Sequence, residues 1–245
     1  MTTGIRLIAL DLDGTLVGHG ESEVSERLKR AVKKAQANGI EVVIATGRHF
    51  STSRSIGETL GVDYMVTLNG GEVRNIDGSL IHRQAIDIET VEEIVKIYDT
   101  VDSHYWLVSN QAVYQRALPG DYQSHEWIKF GFDITDDRKR MELTDFFTAF
   151  ETLEVTNSSE TNIELNRKGT HKQAAIQYLL DERGIDVSMV MAMGDSMNDY
   201  SMIQSAGFGV AMGNAQEAVK AMADYITDSY DQDGAAKAIE KILKD

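Results

Sequence analysis

The chain has 245 residues, enough for one large or two modest domains, and its 42% hydrophobic and 26% charged residues are those of an ordinary soluble globular protein. A formal net charge of −15, from 24 basic and 39 acidic residues, argues against a nucleic-acid or anionic-membrane surface. The lack of cysteine excludes disulfides, thiolate metal sites and thiol nucleophiles.

In chain order, Ile5 to Leu10 is an apolar run that reads as a buried strand of a parallel sheet. Ser22 to Asn38 has helical spacing through Val24, Leu28, Ala31, Val32 and Ala35, and Gly39 ends it. Glu41 to Ala45 is a second strand, Ser51 to Leu60 a helix stopped by Gly61, and Tyr64 to Leu68 a third strand. Glu72 to Arg83, with Asp77-Gly78 in its middle, reads as a hairpin. The middle third differs: a helix over Ile86 to Val101 and a hairpin from Tyr105–Val108 to Ala112–Gln115. Then come a polar, aromatic-rich loop around Pro119, a helix around Met141 to Phe150, and strands at Leu153–Asn157 and Asn162–Asn166. From Thr170 the alternation resumes: helix Lys172–Glu182, strand Val187–Met193, a helix, strand Gly207–Ala211, a helix from Ala215, strand Tyr225–Thr227 and a C-terminal helix through Ala236, Ile239 and Ile242. The fold class expected is α/β, a Rossmann-like doubly wound parallel-sheet core (1–83 and 168–245) with an inserted α+β cap domain (84–167).

Four segments at the ends of core elements supply groups suited to phosphate. Asp11 and Asp13 leave the first strand at the end where open α/β sheets bind ligands, and alternate spacing would aim them together if the strand continued. Two buried anions are expensive unless a metal or cation joins them. Thr46-Gly47-Arg48 closes the second strand, where backbone N–H groups at the next helix can face an anion. Lys172 opens a helix, and Gly194-Asp195-Ser196-Met197-Asn198-Asp199 ends a strand with two more carboxylates and an amide. Each has a bland alternative: turn chemistry for the Asp pair, a cap for Thr46, a solvated Lys172, favourable helix N-terminal charge for Asp195 and Asp199. Their order and context together make the core enzymatic.

These residues closely resemble the haloacid dehalogenase superfamily, whose four motifs match Asp11-Leu12-Asp13-Gly14-Thr15, Thr46-Gly47-Arg48, Lys172 and Gly194 to Asp199. Leu68-Asn69-Gly70-Gly71, Met212-Gly213-Asn214-Ala215 and Asp233-Gly234 extend the resemblance to the Cof-type hydrolases. Lys172 precedes Gln173 where relatives often have Lys-Gly, a departure that leaves the charge intact. The resemblance implies a class-two B-subtype cap and Mg²⁺-dependent phosphatase activity on small phosphorylated metabolites such as sugar phosphates. It makes Asp11 the nucleophile that forms an aspartyl-phosphate, and Asp13 the acid and base, which must be protonated at the outset. Mg²⁺ would be held by Asp11, Asp195 and the backbone carbonyl of Asp13, with Asp199 orienting its waters. Thr46, Gly47 and Asn198 would bind phosphoryl oxygens, and Lys172 would offset the charge of the transition state.

Alternatives are a phosphosugar mutase using the same Asp pair, and a non-catalytic phosphate-binding module. The glycines from Gly207 to Gly213 evoke a dinucleotide fingerprint with the third Gly one residue late, so packing is the better reading. Tyr105, Trp106, Tyr114, Tyr122 and Trp127 are read as core of the middle module. His49 and Arg48 carry no assignment. The expected partner is a small phosphorylated metabolite, with no nucleic acid and no membrane, on a cytoplasmic monomer or weak homo-oligomer.

Overall fold

The structure, a computed structural model, describes residues 4–98, 101 and 103–244. Leu7–Leu10 forms β1 with all four side chains buried, as an interior strand of a parallel sheet requires. In α1 (Glu26–Ala37), Ser25 caps the first turn by accepting from the Leu28 N–H, and Leu28, Ala31, Val32 and Ala35 form the buried stripe. Then follow β2 (Glu41–Ala45), α2 (Phe50–Leu60) stopped by left-handed Gly61, and β3 (Tyr64–Thr67). The hairpin β4 (Glu72–Asn75) and β5 (Leu80–Arg83) closes this half.

The next stretch holds α3 (Ile88–Tyr98), β6 (His104–Ser109), β7 (Val113–Gln115), β8 (Trp127–Asp133), α4 (Asp137–Thr148), β9 (Leu153–Thr156) and β10 (Asn162–Arg167). The chain ends with α5 (Lys172–Arg183), β11 (Val190–Gly194), α6 (Tyr200–Ser205), β12 (Phe208–Ala211), α7 (Glu217–Met222), β13 (Tyr225–Ile226) and α8 (Gly234–Ile242).

Two compact units result, Met1–His82 with Lys172–Asp245, and Arg83–His171. The first is built on an eight-stranded sheet ordered β13-β12-β11-β1-β2-β3-β4-β5. Its first six strands are parallel and β4 runs antiparallel to β3. Separate apolar clusters cover the two faces. One contains Ile8, Leu10, Val32, Ile44 and Ile239; the other contains Leu7, Ala9, Val43, Ile176 and Leu180. Alternate residues of β1 thus point into different layers, as a doubly wound sheet demands. Strand order reverses between β1 and β11, and the loops after β1, β2 and β11 leave the same end of the sheet.

The second unit is a five-stranded antiparallel sheet, β7-β6-β8-β10-β9, whose apolar face packs Tyr105, Leu107, Phe130, Phe132, Ile163 and Leu165 with Val91, Ile94 and Phe147 of α3 and α4. Tyr105 and Trp127 are core, while Trp106 lies over Gly131 so closely that a Cβ there would sit 2.1 Å from the indole.

Four expectations need correction. The stretch after Pro119, a loop by composition, contains β8, which pairs with both β6 and β10. Its alternation of Ile128, Phe130 and Phe132 with Lys129, Gly131 and Asp133 was the available signal. The helix expected at Met141–Phe150 starts at Asp137, because Asp136 accepts from the Lys139 N–H and caps a first turn with no apolar periodicity. The strand expected from Val187 begins at Val190, since Asp186 draws Val187–Met189 into a tight turn by accepting from Ser188. The helix expected over Ile86–Val101 spans Ile88–Tyr98, and positions 99 and 100 lie outside the described residues. Packing explains the glycines from Gly207: a Cβ on Gly207 would meet the Ser188 carbonyl at 1.8 Å, and one on Gly209 the Ile203 carbonyl at 2.4 Å.

Candidate active site

β1 delivers Asp11 to the end of the sheet, where the Asp11 N–H bonds the Met193 carbonyl of β11 and fixes the two strand ends together. Gly14 then turns the chain at φ +78°, and a Cβ at this position would lie 2.4 Å from Asp195 Oδ2. No other residue type allows the approach, since backbone and carboxylate both need the space. The Gly14 carbonyl is held by Asn214 Nδ2 at 2.9 Å. From β11 come Asp195 and, one turn later, Asp199, whose Oδ2 accepts from the Asp195 and Ser196 N–H groups at 3.0 and 3.1 Å. Gly194 is required there: a Cβ would meet Asp199 Cγ at 2.3 Å.

Asp11, Asp195 and Asp199 are buried, and each offers a carboxylate oxygen within 4.8 Å of the others. Lys172 at the start of α5, fully buried, bridges two of them, with Nζ 2.5 Å from Asp11 Oδ1 and 2.6 Å from Asp199 Oδ1. Burial, then the Asp199 charge, raises the Asp11 carboxyl well above the carboxylate range despite Lys172. Burial and Asp199 likewise push Asp195 up to about 7. Burial works against the Lys172 ammonium, but the charges of Asp11 and Asp199 prevail and hold its pKa above the ordinary lysine value.

One cation facing three carboxylates leaves the cluster short of positive charge. The buried Asp195 Oδ1 has no hydrogen-bond partner among the described residues. An all-oxygen donor set with an orphaned anionic oxygen fits a hard divalent cation. Asp199 contributes least to such a site, because Lys172 and two N–H groups already occupy both its oxygens.

Asp13 is placed otherwise than the strand argument expects. β1 ends at Leu10, and Asp13 forms an isolated bridge with Val17. Its carboxylate accepts from Arg48 Nε at 2.8 Å, Arg48 Nη2 at 2.6 Å and the Gly20 N–H at 3.1 Å. Burial alone would raise its pKa; the Arg48 hydrogen bonds and charge, with Gly20, bring it below the ordinary value. The expectation of an Asp13 protonated at the outset, helped by neighbouring carboxylates, is therefore corrected: the groups touching it are donors and a guanidinium. Arg48, left without a role by sequence reasoning, is a partner of Asp13.

Thr46 is fully buried at the end of β2, and its Oγ1 accepts from the Arg48 N–H at 3.1 Å across Gly47. Its backbone is tied to β3 and the following turn through Thr46 N–H to Val66 O and Asn69 N–H to Thr46 O. Asn198 Nδ2 donates to Asn69 Oδ1 at 3.2 Å. The structure thus brings Asp11, Asp195, Asp199 and Lys172 into one cluster and joins the Thr46 loop to Asn198 through Asn69. Sequence reasoning does not place Asn69, Asn214 or Arg48 in the site, although all three lie in motif segments, Leu68–Gly71, Met212–Ala215 and Thr46–Arg48.

The chain matches the model of the haloacid dehalogenase-like hydrolases over residues 8–142 and 117–239. It is 41% identical over 236 residues to the 5-amino-6-(5-phospho-D-ribitylamino)uracil phosphatase YcsE of Bacillus subtilis, covering 96% of this chain and 94% of that one. It is 29% identical to the B. subtilis phosphatase YwpJ, over 98% of this chain and all of the relative. A solved haloacid dehalogenase-like hydrolase from B. subtilis superposes with a TM-score of 0.88 at 27% identity, covering 96% of this chain and 99% of that one. With four motif segments gathered at one end of a doubly wound sheet, and these likenesses running over nearly the whole length, the chain belongs to the haloacid dehalogenase-like hydrolases of the Cof type.

Proposed function

We propose that this protein hydrolyses small phosphomonoesters in two steps, through an aspartyl-phosphate on Asp11 and with the help of Mg²⁺. At the coarser level the chain is a phosphoric monoester hydrolase. The observation supporting the finer reading is the buried group of Asp11, Asp195, Asp199 and Lys172, short of positive charge and holding an oxygen on Asp195 with no partner among the described residues. Asp11, Asp195 and the backbone carbonyl of Asp13 would hold the metal, and Asp199 would orient its waters. Bound Mg²⁺ supplies the positive charge that lets an anionic nucleophile approach an anionic phosphoryl group.

The chain's own residues do the rest. The Asp11 carboxylate attacks phosphorus. Thr46, the Gly47 N–H and Asn198 bind phosphoryl oxygens. Lys172 offsets charge as it spreads over the equatorial oxygens. Asp13, once it has taken up a proton from solvent, gives that proton to the leaving alkoxide and later takes one from the water that opens the intermediate. Because Asp13 is held by Arg48, it accepts a proton only after giving up at least one of those hydrogen bonds. Residues 84–167 act as the cap that selects the substrate. The YcsE relative acts on a phosphorylated ribityl chain joined to a pyrimidine, so phosphorylated sugar or polyol metabolites are the class assigned to this chain.

The test is phosphate release from a generic aryl phosphate, with Mg²⁺ and with chelator, followed by a panel of sugar and polyol phosphates that includes the ribitylaminouracil ester. Metal-dependent release by the wild-type chain, absent in Asp11→Asn, is expected. Full turnover by Asp11→Asn would refute the nucleophile, and unchanged turnover in chelator would refute the metal.

A further inference from the structure

The turn after β3 holds two successive non-glycine residues at positive φ. Leu68, Asn69 and Gly70 stand in succession at φ +54°, +59° and +102°. Glycine adopts such angles freely and asparagine tolerates them, but leucine does not. Strained backbone persists only where its surroundings over-determine it, and such places gather at functional sites. Here the surroundings are the phosphate loop itself. The Leu68 N–H bonds the Arg48 carbonyl at 3.1 Å, and the Asn69 N–H bonds the Thr46 carbonyl at 3.0 Å. These two bonds bracket Gly47, whose N–H the proposed reaction uses.

The side chain of Asn69 reaches the other way. It is 1% exposed, and its Oδ1 receives Asn198 Nδ2, 129 positions along the chain. Asn198 is itself 8% exposed, and its Oδ1 has no hydrogen-bond partner among the described residues. Asn198 Nδ2 carries two N–H donors; one goes to Asn69 Oδ1, and the second can donate to a phosphoryl oxygen, which the unengaged Oδ1, an acceptor, cannot do. Asn69 joins two parts of the site: its main chain bonds the Thr46–Arg48 loop and its side chain bonds Asn198. A conformation near φ +60° further narrows the choice, since only Gly, Asn and Asp adopt it readily, and of these Asn brings a neutral acceptor into an anionic neighbourhood.

We propose that Asn69 is a positioning residue, which sets the spacing between the phosphate loop and the Asn198 amide so that both meet one phosphoryl group. It rests on the phosphatase reading above but touches neither metal nor nucleophile. Asn69→Gly tests it, because glycine keeps the left-handed backbone and removes only the side chain. Misplacement by about 1 Å can cost about 100-fold in rate, so a fall of roughly 10-fold or more in kcat/KM on an aryl phosphate is expected. Binding of inorganic phosphate in the presence of Mg²⁺, followed by calorimetry, should weaken in parallel, while the variant stays folded, its Tm lowered by no more than about 12 °C for the lost buried hydrogen bond. In an Asn198→Ala background, Asn69→Gly should have no further effect on either quantity.

A kcat/KM and phosphate affinity within about twofold of wild type in folded Asn69→Gly would overturn the proposal. So would effects of the two substitutions that simply multiply, since independent sites add in free energy. A lowered Tm with unchanged phosphate affinity would show a merely structural Asn69. A wild-type chain that binds phosphate without hydrolysing esters would sink the phosphatase reading and leave the Asn69 assignment standing on the binding data.

Discussion

Replacing Lys172 by methionine removes the only cation that touches Asp11 and Asp199 among the described residues and leaves a similar volume behind. In the native protein its ammonium sits 2.5 and 2.6 Å from two carboxylates at full burial. Removing one partner of a buried ion pair costs about 3–5 kcal/mol, because the remaining charge is left uncompensated. Here three carboxylates with oxygens inside 4.8 Å would face one another. For a domain of this size each kcal/mol lowers Tm by about 2–4 °C, so the metal-free variant should melt roughly 6–20 °C below wild type. Mg²⁺ should then raise the Tm of the variant more than that of wild type, since the emptied site carries one more uncompensated negative charge, yet turnover should stay lost. Thermal unfolding in chelator and across a Mg²⁺ titration, beside an aryl phosphate assay, measures all three. A metal-free Lys172→Met protein that melts within about 2 °C of wild type would refute the electrostatic account, for the shift expected from breaking a buried pair is several times larger.

Three further outcomes follow from the same geometry. Mg²⁺ at 100 times its dissociation constant should stabilise the wild-type chain by about 2.7 kcal/mol, seen as a Tm rise that chelator reverses and that Asp195→Ala abolishes. Gly14→Ala must place a Cβ 2.4 Å from Asp195 Oδ2 at a φ of +78°, so it should weaken Mg²⁺ binding, by calorimetry, along with turnover; wild-type affinity would contradict the packing. Gly131→Val should expel the Trp106 ring from its seat 2.1 Å from the added Cβ, changing tryptophan fluorescence while leaving the Mg²⁺ affinity of the first unit unchanged.

Much of this protein could be read from residue order alone, and the parts that could not share a cause. Hydrophobic period and stop signals are properties of near neighbours. Leu28, Ala31, Val32 and Ala35 therefore announce α1, Gly61 announces the end of α2, and the apolar runs before Asp11, Thr46 and Asp195 announce parallel strands with reactive groups at their ends. Even β8 was legible in the alternation around Phe130, although Pro119 and the polar residues about it masked the change of period.

Tertiary structure decided which charges meet. No local pattern places Arg48 on Asp13 across 35 positions, Lys172 between Asp11 and Asp199 across 161 and 27, or Asn69 against Asn198 across 129. Those pairings depend on strand order, with β1 between β11 and β2, and they determine what the side chains are worth chemically. Asp11 and Asp13 are the same residue type two positions apart. Burial beside two carboxylates raises the first, while an arginine from the next loop lowers the second. Residue identity is written in the sequence, whereas the field around a carboxyl group exists only once the chain has brought distant charges together.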